Sequence, residues 1–303
     1  MRISVVISTY NGEKFIGEQL DSILKQTRLA DEIIIVDDCS SDGTTKILDE
    51  YSSNEKSIRA YLNRENKGWK RNFHDAIKKA NGEIIVLCDQ DDIWYADKLE
   101  TIETILTNHP EIDLLASEFD ELENGVVKKK ERKESLTQVL MNERLIHTYY
   151  PGCTYAFRRI LFDKADVVWD DTLPHDAQLG IAAKIFHSMY IYGNPLIIYR
   201  RHSNNATKRT APSLKKKREF IKAERAYITF AQHLIVANKK AVFDESKANK
   251  ILAGTTGYLN NRELLLSGFH PKGMIRAVRN IKYYYSNKTC LGDIVFGLKN
   301  KGE

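Results

Sequence analysis

The chain has few cysteines, no long apolar run and neither of the common glycine-rich phosphate loops. Its four cysteines, Cys39, Cys88, Cys153 and Cys290, are scattered, without a C-x-x-C pair or ligand-like spacing. That excludes a disulfide frame and a zinc site, and predicts reduced thiols in a cytoplasmic protein. No apolar run approaches the ~18 residues of a membrane span, and the first residues enter a strand pattern directly, so no secretion signal is expected. The first strand is followed by S-T-Y-N-G rather than G-x-G-x-x-G, which argues against a dinucleotide oxidoreductase. G-x-x-x-x-G-K-[ST] is absent as well, which argues against a P-loop phosphotransferase.

What is present is a chain of 303 residues, long enough for one large core and an appendage. Its net charge of +5 conceals an asymmetry: residues 1–213 sum to −6 and residues 214–303 to +11. An acidic body with a basic tail predicts that the tail meets an anionic surface, either nucleic acid or the inner leaflet of a membrane.

Strand and helix patterns alternate through the first 120 residues. Strands are predicted over 3–8, 32–37, 58–63, 83–88 and 112–117, and helices over 13–26, from Asp42, over 69–80 and over 96–108. Short connections between them imply an α/β sheet that is mainly parallel. In such sheets ligands bind beyond the carboxyl ends of the strands, where Thr9, Asp38 and Asp89 fall. After Ser117 the alternation breaks down. Asn124-Gly125 predicts a type I′ hairpin, residues 128–133 a solvated mobile loop, 152–157 and 188–192 further strands, and 176–187 a helix. Residues 208–218 read as a linker. Two helical stripes follow: Phe220, Ala223, Tyr227, Phe230, Leu234 and Ile235, then Met274, Val278, Ile281 and Tyr285. Lys272, Arg276 and Arg279 lie opposite the second stripe. A basic amphipathic helix of that kind can lie on a membrane or pack on its own domain.

The densest chemistry lies in residues 83–94, E-I-I-V-L-C-D-Q-D-D-I-W. The unbroken apolar run predicts a strand buried on both faces. Continued extended backbone would turn Asp89 and Asp91 to one side and Gln90 to the other. Adjacent carboxylates at a sheet rim repel, and a divalent cation bridging to a phosphate relieves that; hard oxygen ligands suit magnesium or manganese. The plainer alternative makes Asp91 or Asp92 a cap for the helix beginning near Trp94, as Asp42 is read for the second one.

Four segments in order, S-T-Y-N-G-E at 8–13, V-D-D-C-S-S-D-G-T at 36–44, N-K-G-W-K-R-N at 66–72 and C-D-Q-D-D-I-W at 88–94, resemble the donor-binding half of the inverting family-two glycosyltransferases. The likeness continues through H-D at 175–176 and Y-R-R-H at 199–202. It implies a GT-A fold, with a glycosyltransferase domain over 1–210 (nucleotide-sugar half 1–120, acceptor half 121–210) and a basic helical extension over 211–303. By the same resemblance Thr9 and Tyr10 lie under the nucleotide, Asp38 reads the base, Arg71 with Lys67 supports the phosphates, and Asp89 lies near the ribose or donor sugar. Asp91 is matched to the metal ligand, His202 to a further one, and Asp176 to the catalytic base. His175 is read as structural or acceptor-contacting; Lys70, Lys78 and Lys79 as solvated; His74, His109, His147 and His187 as without a role.

The implied reaction moves a sugar, with rhamnose from a dTDP donor the first choice and UDP-hexoses next, onto a saccharide acceptor, expected to be lipid-linked. Contact of the tail with an anionic inner membrane face fits that acceptor. Two rivals are a sugar-nucleotide pyrophosphorylase, which would carry a glycine- and arginine-rich first loop, and a nucleic-acid or polysaccharide binder using the tail. The acidic body and the lack of interleaved aromatics speak against nucleic acid.

Overall fold

The computed structural model describes residues 1–147, 150–202 and 213–299. In chain order the elements are β1 (Ile3–Thr9), α1 (Ile16–Leu24), β2 (Glu32–Asp37), α2 (Thr44–Asn54), β3 (Ile58–Leu62), α3 (Trp69–Lys79), β4 (Ile84–Cys88), β5 (Ile93–Trp94), α4 (Lys98–Asn108), β6 (Leu114–Glu123), β7 (Val126–Lys128) and β8 (Leu136–Gln138). Then come β9 (Tyr155–Arg158), α5 (Arg159–Asp166), α6 (His175–Ile185), β10 (Met189–Arg201), α7 (Leu214–Ala237), α8 (Glu245–Leu266), α9 (Pro271–Arg279) and α10 (Asn287–Lys299).

The strands form one sheet in the order β3-β2-β1-β4-β9-β6-β10-β5. Its first four strands are all parallel, β9 runs antiparallel between β4 and β6, and β6 pairs with β10 in parallel. This is the mainly parallel, helix-flanked architecture expected. Strand alternation sorts the apolar runs into two cores. Ile84 and Val86 face α1, α2 and α4, while Ile85 and Leu87 face α3, α5 and α6. Burial on both faces is why these strands lack polar alternation.

The hairpin at Asn124-Gly125 forms as expected, with φ of 51° and 77° and Glu123 opposite Val126. The charged run after it is exposed but not loose. Buried Asp120 accepts hydrogen bonds from Lys130 N (2.7 Å) and Arg132 Nη2 (3.1 Å), which strap the segment to β6.

Three expectations in the C-terminal third need correction. Residues 214–218 are not linker but the first turn of α7, capped by Ser213, whose Oγ accepts from Lys216 N at 3.3 Å; residues 208–212 lie outside those described, as does the boundary at 210/211. Phe220 is exposed, and Lys217 and Ile221 are buried in its place. On α9 the packed residues are Gly273 and Ala277, while Val278 and Ile281 stand in solvent. Small residues win that face because α9 lies close on its neighbours: a Cβ at Gly273 would sit 3.2 Å from Leu265 Cδ2 of α8.

Burying Lys217 is possible because of Asp293 on α10. Its carboxylate accepts from Lys217 Nζ (2.5 Å) and Arg262 Nε (2.7 Å), and Arg262 Nη1 reaches Glu224 at 2.8 Å. The apolar core beneath runs from the sheet through α6 into α7, α8 and α10. Among the described residues no helix is long and apolar enough to cross a membrane. Removing one member of a buried ionic group strands the others, at a cost of about 3–5 kcal/mol. Asp293→Ala is therefore expected to lower unfolding free energy by about that amount in urea denaturation, with an isosteric Asn losing less.

Candidate active site

The carboxyl ends of β1, β2 and β4, the 3-10 turn Gly152–Thr154 before β9, the start of α6 and the end of β10 supply one rim. At β2, Asp37 and Asp38 do different work. Asp37 accepts from Thr9 Oγ1 (2.8 Å) and from Ser40 N and Oγ (2.8 and 2.6 Å), so Thr9 is buried and oriented by it. Asp38 accepts from the backbone N–H groups of Lys67 and Gly68 (both 2.8 Å) and from Asn63 Nδ2 (3.0 Å). It thereby holds the loop that opens α3. Within the N-K-G-W-K-R-N segment the residue facing inward is Asn72, whose Nδ2 donates to Val36 O and Ser8 Oγ at 2.7 Å.

Lys67 and Arg71 converge. Lys67 Nζ lies 3.0 Å and Arg71 Nε 2.9 Å from the Asp75 carboxylate, and Arg71 also pairs with Asp171 on the loop before α6. Both cations are partly open to solvent. Tyr10 is exposed, with its backbone clamped by Gln90: Tyr10 N donates to Oε1 (2.8 Å) and Gln90 Nε2 to Tyr10 O (3.1 Å). A side chain at Gly12 would strike the same amide.

The acidic segment departs from simple alternation. β4 ends at Cys88 and a turn follows, so Asp89 and Asp91 do not share a face of extended backbone. Asp89 lies instead with Asp92 and Cys153, their ligand atoms all within 4.8 Å of one another. Asp91 Oδ2 meets His202 Nε2 at 2.7 Å, and the imidazole stacks on Phe15 with centroids 4.9 Å apart. Asp92 caps no helix, because β5 intervenes and α4 begins at Lys98. Its Oδ1 accepts from Arg200 N (3.0 Å), while Oδ2 is buried with no partner among the described residues.

Asp176 sits in the first turn of α6, where Pro174 holds the capping position. Its Oδ1 accepts from Ala177 N at 2.8 Å. The His175 ring is buried, stacked on Phe73 at 4.0 Å, and both its nitrogens lack partners among the described residues; burial lowers its pKa. Gly152 presses on this pair, since a Cβ there would lie 2.7 Å from His175 Nε2 and 3.2 Å from Asp176 Cβ.

The charges are coupled. Burial pushes Asp89 well above the ordinary carboxylate range, and the charges of Asp92, Asp91 and Asp176 push it further. Asp92 is raised to about 7 by burial and by Asp91. Beneath them Lys98 is wholly buried, its Nζ 3.1 Å from Cys153 O and 4.0 Å above the Trp94 ring; burial pulls its pKa to about 8. The rim thus carries Asp89, Asp92 and Cys153 with ligand atoms within 4.8 Å of one another, the Asp91–His202 pair, and Asp176 beside Gly152; its carboxylate oxygens are the ligand type a hard divalent cation takes.

Sequence reasoning missed several members of this group. Cys153 and Gly152 come from a segment with no motif of its own, and Lys98 falls on a helix where a solvated lysine is the usual reading. Gln90 was visible only as the odd residue between two acids. His74, given no role, is a structural bridge, with Nε2 2.5 Å from Asp166 and its ring stacked on Trp169. Lys78 pairs with the same Asp166.

Known proteins that resemble this chain agree among themselves. The dTDP-rhamnosyl transferase RfbG of Shigella flexneri is 31% identical over 276 residues, covering 86% of this chain and 92% of its own. The poly(ribitol-phosphate) beta-N-acetylglucosaminyltransferase TarS of Staphylococcus aureus is 32% identical over 178 residues, 57% of this chain and 30% of that protein. Residues 1–349 of TarS, crystallised with UDP, superpose with a TM-score of 0.61 at 23% identity, covering 84% of this chain and 70% of that one. The Pyrobaculum calidifontis mannosyltransferase PcManGT, in complex with GDP-Man and Mn2+, gives 0.52 at 17%, covering 99% and 88%. At those identities the two structures speak to the fold alone, which is GT-A. Residues 4–164 match the family described as Glycosyl transferase family 2, more than half of the chain. With the nearly full-length likeness to RfbG, that match makes this chain a member of glycosyl transferase family 2 and a nucleotide-sugar-dependent transferase.

Proposed function

We propose that the protein transfers a sugar, rhamnose from a dTDP donor in first place, to a saccharide acceptor in cell-surface polysaccharide assembly, with inversion at the anomeric carbon. The likeness to RfbG along most of both chains supports the donor, and UDP donors are the next choice because TarS structures contain UDP and UDP-GlcNAc. The observation that carries the mechanism is the meeting of Asp89 and Asp92 after β4 with Cys153 before β9, beside the Asp91–His202 pair, with Asp176 of α6 against the neighbouring Gly152. In this reading residues 1–210 are the transferase domain and 211–303 a basic helical extension. The acceptor is lipid-linked and met at the cytoplasmic membrane face.

The residues divide the work by chemistry. Thr9 and Tyr10 floor the nucleotide, and Asp38 reads its base with the lone pairs left by the Lys67–Gly68 loop. Lys67 and Arg71, sharing Asp75, swing to the pyrophosphate, where a guanidinium matches two oxygens. Asp89 orients the donor sugar. Asp91 and His202 would hold a divalent cation, manganese or magnesium. Such an ion supplies positive charge to the leaving diphosphate. Asp176 accepts the proton of the acceptor hydroxyl as that oxygen attacks from the face opposite the diphosphate, a contribution of about 10²–10⁴-fold. One displacement needs no covalent intermediate.

Asp176→Asn is expected to cut turnover about 10²–10⁴-fold while donor affinity stays within about twofold; an equal fall in donor affinity with normal turnover of bound donor would remove it as the base. Gly152→Ala, by displacing Asp176 and His175, should lower kcat at unchanged donor affinity. Because native Asp92 titrates at about 7 and unfolded Asp at 3.8, the native state holds its proton more tightly. That contribution to stability is full below pH ~4 and lost as pH rises through ~7. Cation-free protein is therefore expected to lose stability between about pH 4 and about pH 7 in urea titrations, Mn2+ to restore it, and Asp92→Asn to flatten the dependence. In a thermal-shift screen, dTDP- and UDP-sugars should raise Tm more with Mn2+ than with chelator; no shift with any nucleoside diphosphate would end the proposal.

A further inference from the structure

The C-terminal helices carry an apolar surface that the transferase mechanism does not use. α9 and α10 run antiparallel. Near the start of α10, Cys290 Sγ lies 3.6 Å from Ala277 O near the end of α9, and at the other end a Cβ at Gly297 would lie 3.6 Å from Met274 Cε. Both helices rest on α8, through Gly273 against Leu265 and through Gly297 against Leu265 O. Around each axis, at 100° per residue, the α8-facing position comes first, then the one touching the other helix, then large apolar side chains. Since antiparallel helices turn in opposite senses seen from one end, both apolar stripes fall on the same side, away from α8.

Those side chains stand in water: Ile275 is 56% exposed, Val278 58%, Leu291 61% and Leu298 42%. Cations flank them, Lys272, Arg276 and Arg279 beyond the stripe on α9 and Lys288 and Lys299 beside it on α10. From residue 267 to 299 the single acid is Asp293, and it is buried against Lys217 and Arg262. The face therefore combines exposed apolar area with charge of one sign. A second copy of the chain would set these cations against themselves, whereas an anionic leaflet satisfies both features at once.

We propose that the outer face of the α9–α10 pair docks on an anionic lipid bilayer, with Ile275, Val278, Leu291 and Leu298 entering the interface and the flanking cations meeting lipid headgroups. The proposal deepens the reading above, and rests on it only for the acceptor that docking would serve. Its physics is independent of sugar transfer.

The test is cosedimentation of the full chain with vesicles of phosphatidylcholine alone or mixed with phosphatidylglycerol, free of acceptor and sugar nucleotide. Binding is expected to the anionic vesicles and to weaken with salt. Ile275→Glu with Leu291→Glu should reduce it by at least about tenfold, since each change replaces a side chain that gains from burial with a charge the leaflet repels. Arg276→Gln with Arg279→Gln should reduce it by about fivefold for each cation lost. Because all four residues are exposed, urea midpoints and turnover on a water-soluble acceptor should not change. Equal binding to both vesicle types, no binding, or a dimer in light scattering that the same substitutions dissolve would overturn the proposal. Failure of the transferase reading would appear instead as lost nucleotide response with vesicle binding intact.

Discussion

Repulsion among carboxylates at the sheet rim is the constraint around which this molecule is built. Asp89 and Asp92, with ligand atoms no more than 4.8 Å apart, would repel by about 3.5 kcal/mol if both were charged, at an effective dielectric constant near 20. Asp91 and Asp176 add to that. No local preference would bring such groups together. They are held there by strands whose apolar residues are buried on both faces, and burial of those runs outweighs the repulsion. The partial compensations are all nearby: the Lys98 ammonium beneath, the Arg200 backbone N–H on Asp92, and the His202 imidazole on Asp91.

The loops of the rim keep their shape by the same use of polar side chains. Asp38, Gln90 and Asp37 each use side-chain oxygens to hold backbone or hydroxyl groups of a neighbouring loop. Those residues are anchors of the rim's own loops. Lys67 and Arg71 are held on Asp75 in the same manner. The C-terminal helices join this body through a shared apolar core, and the buried Lys217–Asp293–Arg262–Glu224 group ties them to one another.

Much of the first 120 residues was legible in the residue pattern because the polar segments there are contiguous. Uninterrupted β-branched runs announce strands buried on both faces, and a polar cluster directly after such a run falls at the carboxyl end of a parallel sheet. Asp91 and His202, 111 residues apart, were paired only through resemblance, and they do meet. Residues 121–210 were less legible. Their strands mix directions and β9 inserts between β4 and β6; of the strand expected over 152–157 only the part from Tyr155 forms, and Gly152–Thr154 is a 3-10 turn that brings Gly152 and Cys153 to the rim. The α9 stripe misled because helical periodicity marks an apolar face without saying which way it turns.

Local order along the chain was enough to establish the alternation of elements, the family resemblance, the acidic segment and the sign of charge in each half. Each of these is written in neighbouring residues, so none needs the fold to be read. Which acids cluster is a different matter, settled by packing. The turn after Cys88 sends Asp89 toward Asp92 and Cys153, and Asp91 toward His202, because the rim positions side chains by where separate strands end. Packing likewise made Gly273 and Ala277, not Val278, the inner side of α9, because helices approach most closely where side chains are smallest.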